Sequence, residues 1–401
     1  PPPALHSQKT QTAHEAEKKK NKPLPLLRGR FPCVSGRGYT YTSSKMDATN
    51  APQLIEYANK GVNFTPFTTR WIPCSPRFVC LGTNPRNKGA MGIYELKKGE
   101  LKETTMVTTP AGLKCGTFGA SFFEKRQLAT GDYAGKLNIW DMSNLKKAVY
   151  SVKAHSSIVN CIDGVGGLNI GGGAPEIVTG SRDGCVRVWD PRQTAPVCSI
   201  EPAKGEDPRE CWAVAFGNSF NDHERMVACG YDNGDLKMLD LRAQKLVWEC
   251  NVNNGIVDIQ FDRKDIEMNK LIVTTLESRF RIFDLRTYHP EEGYASLLKK
   301  SHKSTVWVGA HLPQNREVMM TLGGNGTLNL WKYCYPSKRR EDDGKGNPRG
   351  VVGSLELLNS KRFSEQPIVS FDWSMDKPGL CSMCSLDQQV RVAIVTKLNK
   401  L

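Results

Sequence analysis

A short pattern returns along this chain at a nearly constant interval, and it limits the possible folds more than any other feature of the sequence. The pattern is an apolar run, a tight polar turn, and a second run in which apolar and polar residues alternate. It reads "ATGDYAGKLNIWD" (129–141), "VTGSRDGCVRVWD" (178–190), "ACGYDNGDLKMLD" (228–240), "VTTLESRFRIFD" (273–284), "MTLGGNGTLNLW" (320–331) and "MCSLDQQVRVAI" (383–394), and "FVCLGTNPRNKGAMGIYE" (78–95) fits with a three-residue insertion. Alternation on both sides of an Asp/Asn/Gly turn marks a β-hairpin, because strand side chains point to alternate faces and these residues accept the turn's backbone. Equivalent positions in the second runs are Tyr94, Trp140, Trp189, Leu239, Phe283, Trp331 and Ala393, in steps of 46, 49, 50, 44, 48 and 62 residues.

A further apolar run precedes each hairpin: "PFTTRWIP" (66–73), "KCGTFG" (114–119), "VNCIDG" (159–164), "CWAVAFG" (211–217), "VDIQFD" (257–262), "VWVGAHLP" (306–313) and "VSFDWS" (369–374). One such unit cannot bury both faces of its sheet, whereas units of about 40–50 residues closed into a ring bury them all and leave few free edges. The expected fold is all-β, a seven-bladed β-propeller. Its blades are expected roughly at 66–107, 112–150, 154–200, 209–250, 255–298, 302–334 and 366–397. A strand at about 53–57, built around Leu54–Tyr57, is expected to complete the last blade and latch the ring. Two segments are expected as loops. "GVGGLNIGGGAPE" (164–176) lacks phosphate-loop spacing and reads as a flexible docking loop. "YPSKRREDDGKGNPRG" (335–350) reads as a solvated, mobile insertion between blades six and seven.

The composition is that of a globular protein, with 39% hydrophobic and 24% charged residues among 401. No apolar run approaches the length of about 18 residues that a membrane-spanning helix needs, so no membrane partner is expected. The net charge is +14, but residues 1–45 hold nine Lys/Arg against two Glu and so contribute half of it. The remainder has no basic stripe interleaved with aromatics, so no nucleic-acid partner is expected. The domain reading is a disordered basic extension at 1–45, upstream of Met46, and a propeller at 46–401. Thirteen cysteines lie scattered, most of them in apolar runs, which points to a reducing, intracellular compartment. Cys381 and Cys384 form a lone CxxC whose members would face opposite sides of a strand, so neither a metal nor a cofactor is expected.

The polar residues of the repeat have a structural task. His155, Thr179, Asp183 and Trp189 can form one chain in which Asp183 accepts from the imidazole and the Thr179 oxygen accepts from the indole N–H. His302, Thr321, Asn325 and Trp331 offer the same set in blade six. Hydroxyl, imidazole and carboxylate together would suggest a hydrolytic triad. Here both sets fall at matching repeat positions with a Trp attached, so no enzyme is expected.

Two surfaces are candidates for partners. Near the start of each innermost strand stand Phe67, Lys114, Asn160, Trp212, Val257, Trp307 and Val369, and the aromatics Phe67, Trp212 and Trp307 could anchor a partner. At the opposite ends, "DPR" (190–192), "DLR" (240–242) and "DLR" (284–286) place Arg192, Arg242 and Arg286 on consecutive blades, where a guanidinium could meet carboxylates.

The motifs "LATGDYAGKLNIWD", "GAPEIVTGSRDGCVRVWDPRQ", "CWAVAFGNSF", "FDRKDIEMNKL", "SHKSTVWVGAHLPQNRE" and "VRVAIVTKLNK" go further. Through them the chain, from about residue 50 to 401, resembles the Monad-type WD-repeat proteins, a family of dynein axonemal assembly factors. The resemblance implies a WD40 propeller acting as a non-enzymatic cytoplasmic adaptor, monomeric within a larger complex. The implied partners are a tetratricopeptide-repeat co-chaperone, RuvB-like ATPases, prefoldin-like subunits and axonemal dynein chains as clients, with a further link to apoptosis. "WDPR" at 189–192 also resembles the motif by which WD-repeat substrate receptors dock on cullin-RING ubiquitin ligases, an alternative that would use Arg192.

Overall fold

The computed structural model describes Phe31–Pro32 and residues 51–401, apart from 169, 203–204, 206 and 222–223. The strands gather into seven antiparallel sheets of four strands around a ring, one sheet being widened to five. Blade three shows the plan: its inner strand Val159–Val165 pairs with Glu176–Ser181, which pairs with Val186–Trp189, which pairs with the outer strand Cys198–Ile200. The opening stretch of the repeat supplies the second and third strands in every blade. In six of the seven blades its turn holds a left-handed residue, and in blade six Gly326 provides it at φ 72°, where a Cβ would overlap the Ser364 carbonyl.

The alternation of the strands sends every second side chain toward a neighbouring blade. As a result the described apolar residues form seven buried clusters, one between each pair of adjacent blades. Val178, Val188, Phe216 and Val227 join blades three and four, for example, and Phe280, Ile282, Met319 and Trp331 join blades five and six. No blade has a complete core of its own, so the ring is the folding unit.

Closure falls to Leu54–Gly61, the outer strand of blade seven, which pairs antiparallel with Gln389–Val395 from Leu54↔Val395 to Gly61↔Gln389. The same junction is stitched by polar contacts from blade one to blade seven. The Thr69 and Ser382 hydroxyls lie 3.2 Å apart, and the Trp71 amide donates to Asp372 at 2.7 Å. Burial raises the Asp372 carboxyl to about 6.

Two expectations are corrected here. The segment 335–350 does not separate blades six and seven, because blade six takes its fourth strand from Ser354–Arg362. The insertion lies within that blade and folds into a hairpin, Arg340–Asp342 with Pro348–Gly350, set against blade five. Nor is its root simply solvated. Arg339 donates to Asp284 at 2.9 Å and to Asn269 at 2.9 Å, and Asn269 donates to the Tyr335 hydroxyl at 3.0 Å, above the fully buried Lys270–Asp262 pair at 3.1 Å. A run of mixed charge is held once each charge finds a partner in the adjoining blade.

Of the extension 1–45, expected to lack a fold, only Phe31–Pro32 is described, and it pairs parallel with the outer strand Lys245–Asn251 of blade four. The unpaired backbone of an edge strand explains why a short piece of chain adds there. The rest of that expectation lies outside the described residues.

Leu54 is 3% exposed and packs with Phe371 and Trp373, whereas its neighbour Ile55 points outward at 45%. Leu54→Ala should therefore cost about 2–5 kcal/mol in urea denaturation, and Ile55→Ala about 0.5 kcal/mol or less. Equal losses would show that this strand does not close the ring.

Candidate functional site

In blade three the four repeat residues meet. The His155 Nδ1–H donates to Asp183 Oδ1 at 3.2 Å, Thr179 Oγ1 lies 2.8 Å from His155 Nε2, and the Trp189 indole donates to Thr179 Oγ1 at 2.9 Å. Asp183 also accepts the Ser156 amide at 2.9 Å and the Cys185 amide at 3.0 Å. Burial alone would raise its carboxyl, but the His155 ring and these amides outweigh burial and hold it well below the usual carboxylate range. The hydroxyl is thus fully engaged between an imidazole and an indole, which suits a structural tie and not a nucleophile.

Blade six is a partial copy. Thr321 Oγ1 lies 3.0 Å from His302 Nε2 and accepts from Trp331 at 2.9 Å. Asn325 faces the His302 ring and favours its protonated form, but it is less well placed there than Asp183 is on His155. Its Oδ1 and His302 Nδ1 are both buried without a hydrogen bond among the described residues, and Ser301 takes a place on Thr321 instead, at 2.8 Å. A carboxylate with two oxygens can serve a ring and a turn at once, whereas the single amide oxygen of Asn325 gives the ring only a weaker contact. Burial lowers the His302 imidazole to about 4. Blade two repeats the Thr–Trp half of the motif, Trp140 donating to Thr130 at 2.9 Å, and the ten-residue spacing shared with 179/189 and 321/331 was the available signal.

The candidate anchors Phe67, Trp212 and Trp307 line one central cavity of about 310 Å³, together with Lys114, Asn160, Val257 and Val369. Every blade contributes to it through the same device. In each inner strand the register slips across one residue, between Pro66/Thr68, Leu113/Cys115, Val159/Cys161, Cys211/Ala213, Ile256/Asp258, Val306/Val308 and Ile368/Ser370. The residue skipped is the one at the cavity. A β-bulge leaves its extra residue outside the ladder and re-aims its side chain, so seven bulges turn seven side chains toward the axis. Sequence reasoning located these positions without finding the bulges, which have no composition signal of their own.

The cavity carries mixed chemistry. The Lys114 ammonium sits 4.5 Å from the centre of the Phe67 ring, and burial lowers its pKa. Trp212 donates to Glu210 at 3.0 Å, and Glu210 in turn pairs with Arg182 at 2.9 Å. Asp258 accepts the Gly309 amide at 3.0 Å, and burial raises its carboxyl to about 6.

On the opposite face the three arginines differ. In all three the Asp carboxylate first accepts the amide two residues on, at 2.9 Å for Arg192, 2.8 Å for Arg242 and 3.0 Å for Arg286. The Arg192 guanidinium then folds back on Asp190, with its closest contact at 2.6 Å, and Arg286 pairs with Glu267 at 2.6 Å. Arg242 makes no ion pair among the described residues. Arg192 borders a second cavity of about 430 Å³ between blades two and three, with Phe122 and Pro175. The described residues of the neighbouring segment 164–176, expected as a flexible docking loop, are bonded to the adjoining blades. The Gly167 and Leu168 amides donate to Gly119 at 3.1 Å and Ser121 at 2.8 Å of blade two, the Gly172 amide donates to Ser219 of blade four at 2.6 Å, and Arg225 reaches the Gly172 carbonyl. A Cβ on Gly167 would overlap the Ser121 backbone, so close approach accounts for that glycine and not looseness. Cys381 and Cys384 face different buried clusters, on opposite sides of their sheet.

The WD domain, G-beta repeat family matches residues 146–190. Among proteins similar over most of the chain, "Dynein axonemal assembly factor 10" of Xenopus laevis is 56% identical across 87% of this chain and 98% of its own. The protein of that name from Homo sapiens is 54% identical across 89% of this chain and 100% of its own, and that from Chlamydomonas reinhardtii 52% across 89% and 100%.

Thr179→Val keeps the shape of the side chain and removes its hydroxyl, leaving buried groups of His155 and Trp189 unmatched. It should cost about 2–4 kcal/mol in chemical denaturation, and a cost near zero would contradict the tie. Between about pH 6.5 and 4 an unfolded His302 binds a proton that the folded one refuses, so stability is present above that window and falls as the pH drops through it. His302→Gln should flatten the fall by up to about 1.4 kcal/mol per pH unit, and an unchanged slope would place that proton elsewhere.

Proposed function

The chain belongs to the dynein axonemal assembly factor 10 family of WD-repeat proteins, and on that premise we propose that it is a non-enzymatic adaptor in the cytoplasmic preassembly of axonemal dynein arms. The observation that carries this reading is identity above 50% extending over 351–358 residues. The polar groups that could do chemistry are already tied to one another inside the blades. What remains free for work is surface, above all the central cavity.

In this reading the adaptor works with a co-chaperone assembly of RuvB-like ATPases, prefoldin-like subunits and a tetratricopeptide-repeat protein, and dynein chains are its clients. Phe67, Trp212 and Trp307 are the anchors, since large aromatics in a shared pocket dominate interface energies. The ubiquitin-ligase alternative needs a free Arg192, and its guanidinium is held by Asp190.

Affinity purification of the full chain from ciliating cells, followed by mass spectrometry, should recover co-chaperone subunits and axonemal dynein chains, and their absence would overturn the adaptor reading. Trp212→Ala with Trp307→Ala should reduce that recovery about tenfold or more at an unchanged melting temperature. Undiminished recovery would move the binding surface elsewhere.

A further inference from the structure

The face of the ring that opens onto the central cavity is not evenly charged. Around blades three, four and seven its charges are matched: Arg182 pairs with Glu210 at 2.9 Å, Arg187 with Glu201 at 3.5 Å, and Arg391 with Asp387 at 2.6 Å. Between blades five and six they are not. Arg279 and Lys300 stand directly opposite one another in the ladder, both exposed, and Lys303 is exposed in the loop that follows. None of the three makes an ion pair among the described residues, although Glu277 lies exposed nearby. Like charges directly opposite one another in a sheet are unfavourable.

This basic rim is continuous with the cavity. The Thr305 hydroxyl donates to the Leu276 carbonyl at 2.8 Å, tying the turn of blade five to the start of blade six. Leu276, 39% exposed, and Trp307 both line the cavity. Within it, neither Arg70 nor Lys114 makes an ion pair among the described residues, although Arg70 lies close enough to Asp258 and Asp372 to lower both carboxyls. Arg70 is satisfied by the Thr69 carbonyl at 2.8 Å, and Lys114 has only the face of Phe67. The one acid there, Asp258, is already bonded to the Gly309 amide. The face therefore offers open positive charge at its rim and, through Lys114, at its centre, with aromatic rings between.

We propose that this face docks an acidic, extended segment of a partner protein, with its carboxylates over Arg279, Lys300 and Lys303 and one carboxylate beside an apolar side chain entering the cavity to meet Lys114 between Phe67, Trp212 and Trp307. The proposal rests on the adaptor reading for the partner's being a protein, and deepens it by naming the chemistry of the docked segment. A carboxylate in the cavity would meet a cation that has shed much of its water, where attraction is strongest. The rim charges would act mainly by steering the approach.

The test is fluorescence anisotropy with the full chain and a fluorescein-labelled polyglutamate peptide carrying one central phenylalanine. Binding should be saturable and weaken steeply with salt. Lys114→Met should weaken it about tenfold, and Arg279→Glu with Lys300→Glu should lower chiefly the association rate. Lys303→Glu is fully on the surface and gives a variant whose folding is not in question, and it should lower the rate in the same direction. Equal affinity for a polylysine peptide of the same design, tighter binding of an oligouridylate, or no change with Lys114→Met and Lys303→Glu would each overturn the proposal. If the peptide fails to bind while the full chain still recovers assembly subunits from cells, this docking mode falls and the adaptor reading stands. If the peptide binds through Lys114 while no assembly subunits are recovered, the docking mode stands and the adaptor reading falls.

Discussion

The structure depends on burial between blades. Each four-stranded sheet is apolar on two faces and can cover neither, so its stability comes from the sheets on either side. Seven such junctions must exist at once, and the one between blades seven and one is made by chain segments more than 300 residues apart. Leu54–Gly61 converts an open stack into a ring, and the buried Trp71–Asp372 and Thr69–Ser382 contacts make that junction specific as well as apolar. The Thr–Trp ties of blades two, three and six stiffen single blades within this frame.

Closure also creates the site. Seven inner strands converge on the axis, and a bulge in each releases one side chain from the ladder. A residue freed from pairing can vary without cost to the sheet, which is why the same position holds Phe67, Lys114, Trp212 and Val369. The ring fixes where these side chains stand, and their identity sets what they attract. The opposite face works differently: there Asp190, Asp240 and Asp284 bend the chain, and two of the three arginines are consumed locally.

Much of this was legible because hairpin period and turn chemistry are local properties. The Thr179–Trp189 spacing, the latch and the seven cavity positions follow from the repeat and its period. Where the reading failed, the cause was non-local. The fourth strand of blade six, Ser354–Arg362, lies partly exposed and shows no clean alternation, so the 335–350 insertion was placed outside the blade that contains it. The glycines of 164–176 suggested freedom, yet backbone contact from two blades fixes that segment. Asn325 matches Asp183 by position but lacks the second oxygen and the charge that make Asp183 the centre of its network.

On the adaptor reading, the partner sits on the ring's axis face and not on the face of the arginines. Hydrogen exchange of the full chain, alone and in the complex purified from cells, tests this most directly. Partner binding should slow exchange at the inner-strand starts around 66–68, 211–213 and 305–308 and at the turn 276–279. Slowing confined to 190–197 and 240–244, with the inner-strand starts unchanged, would contradict that placement.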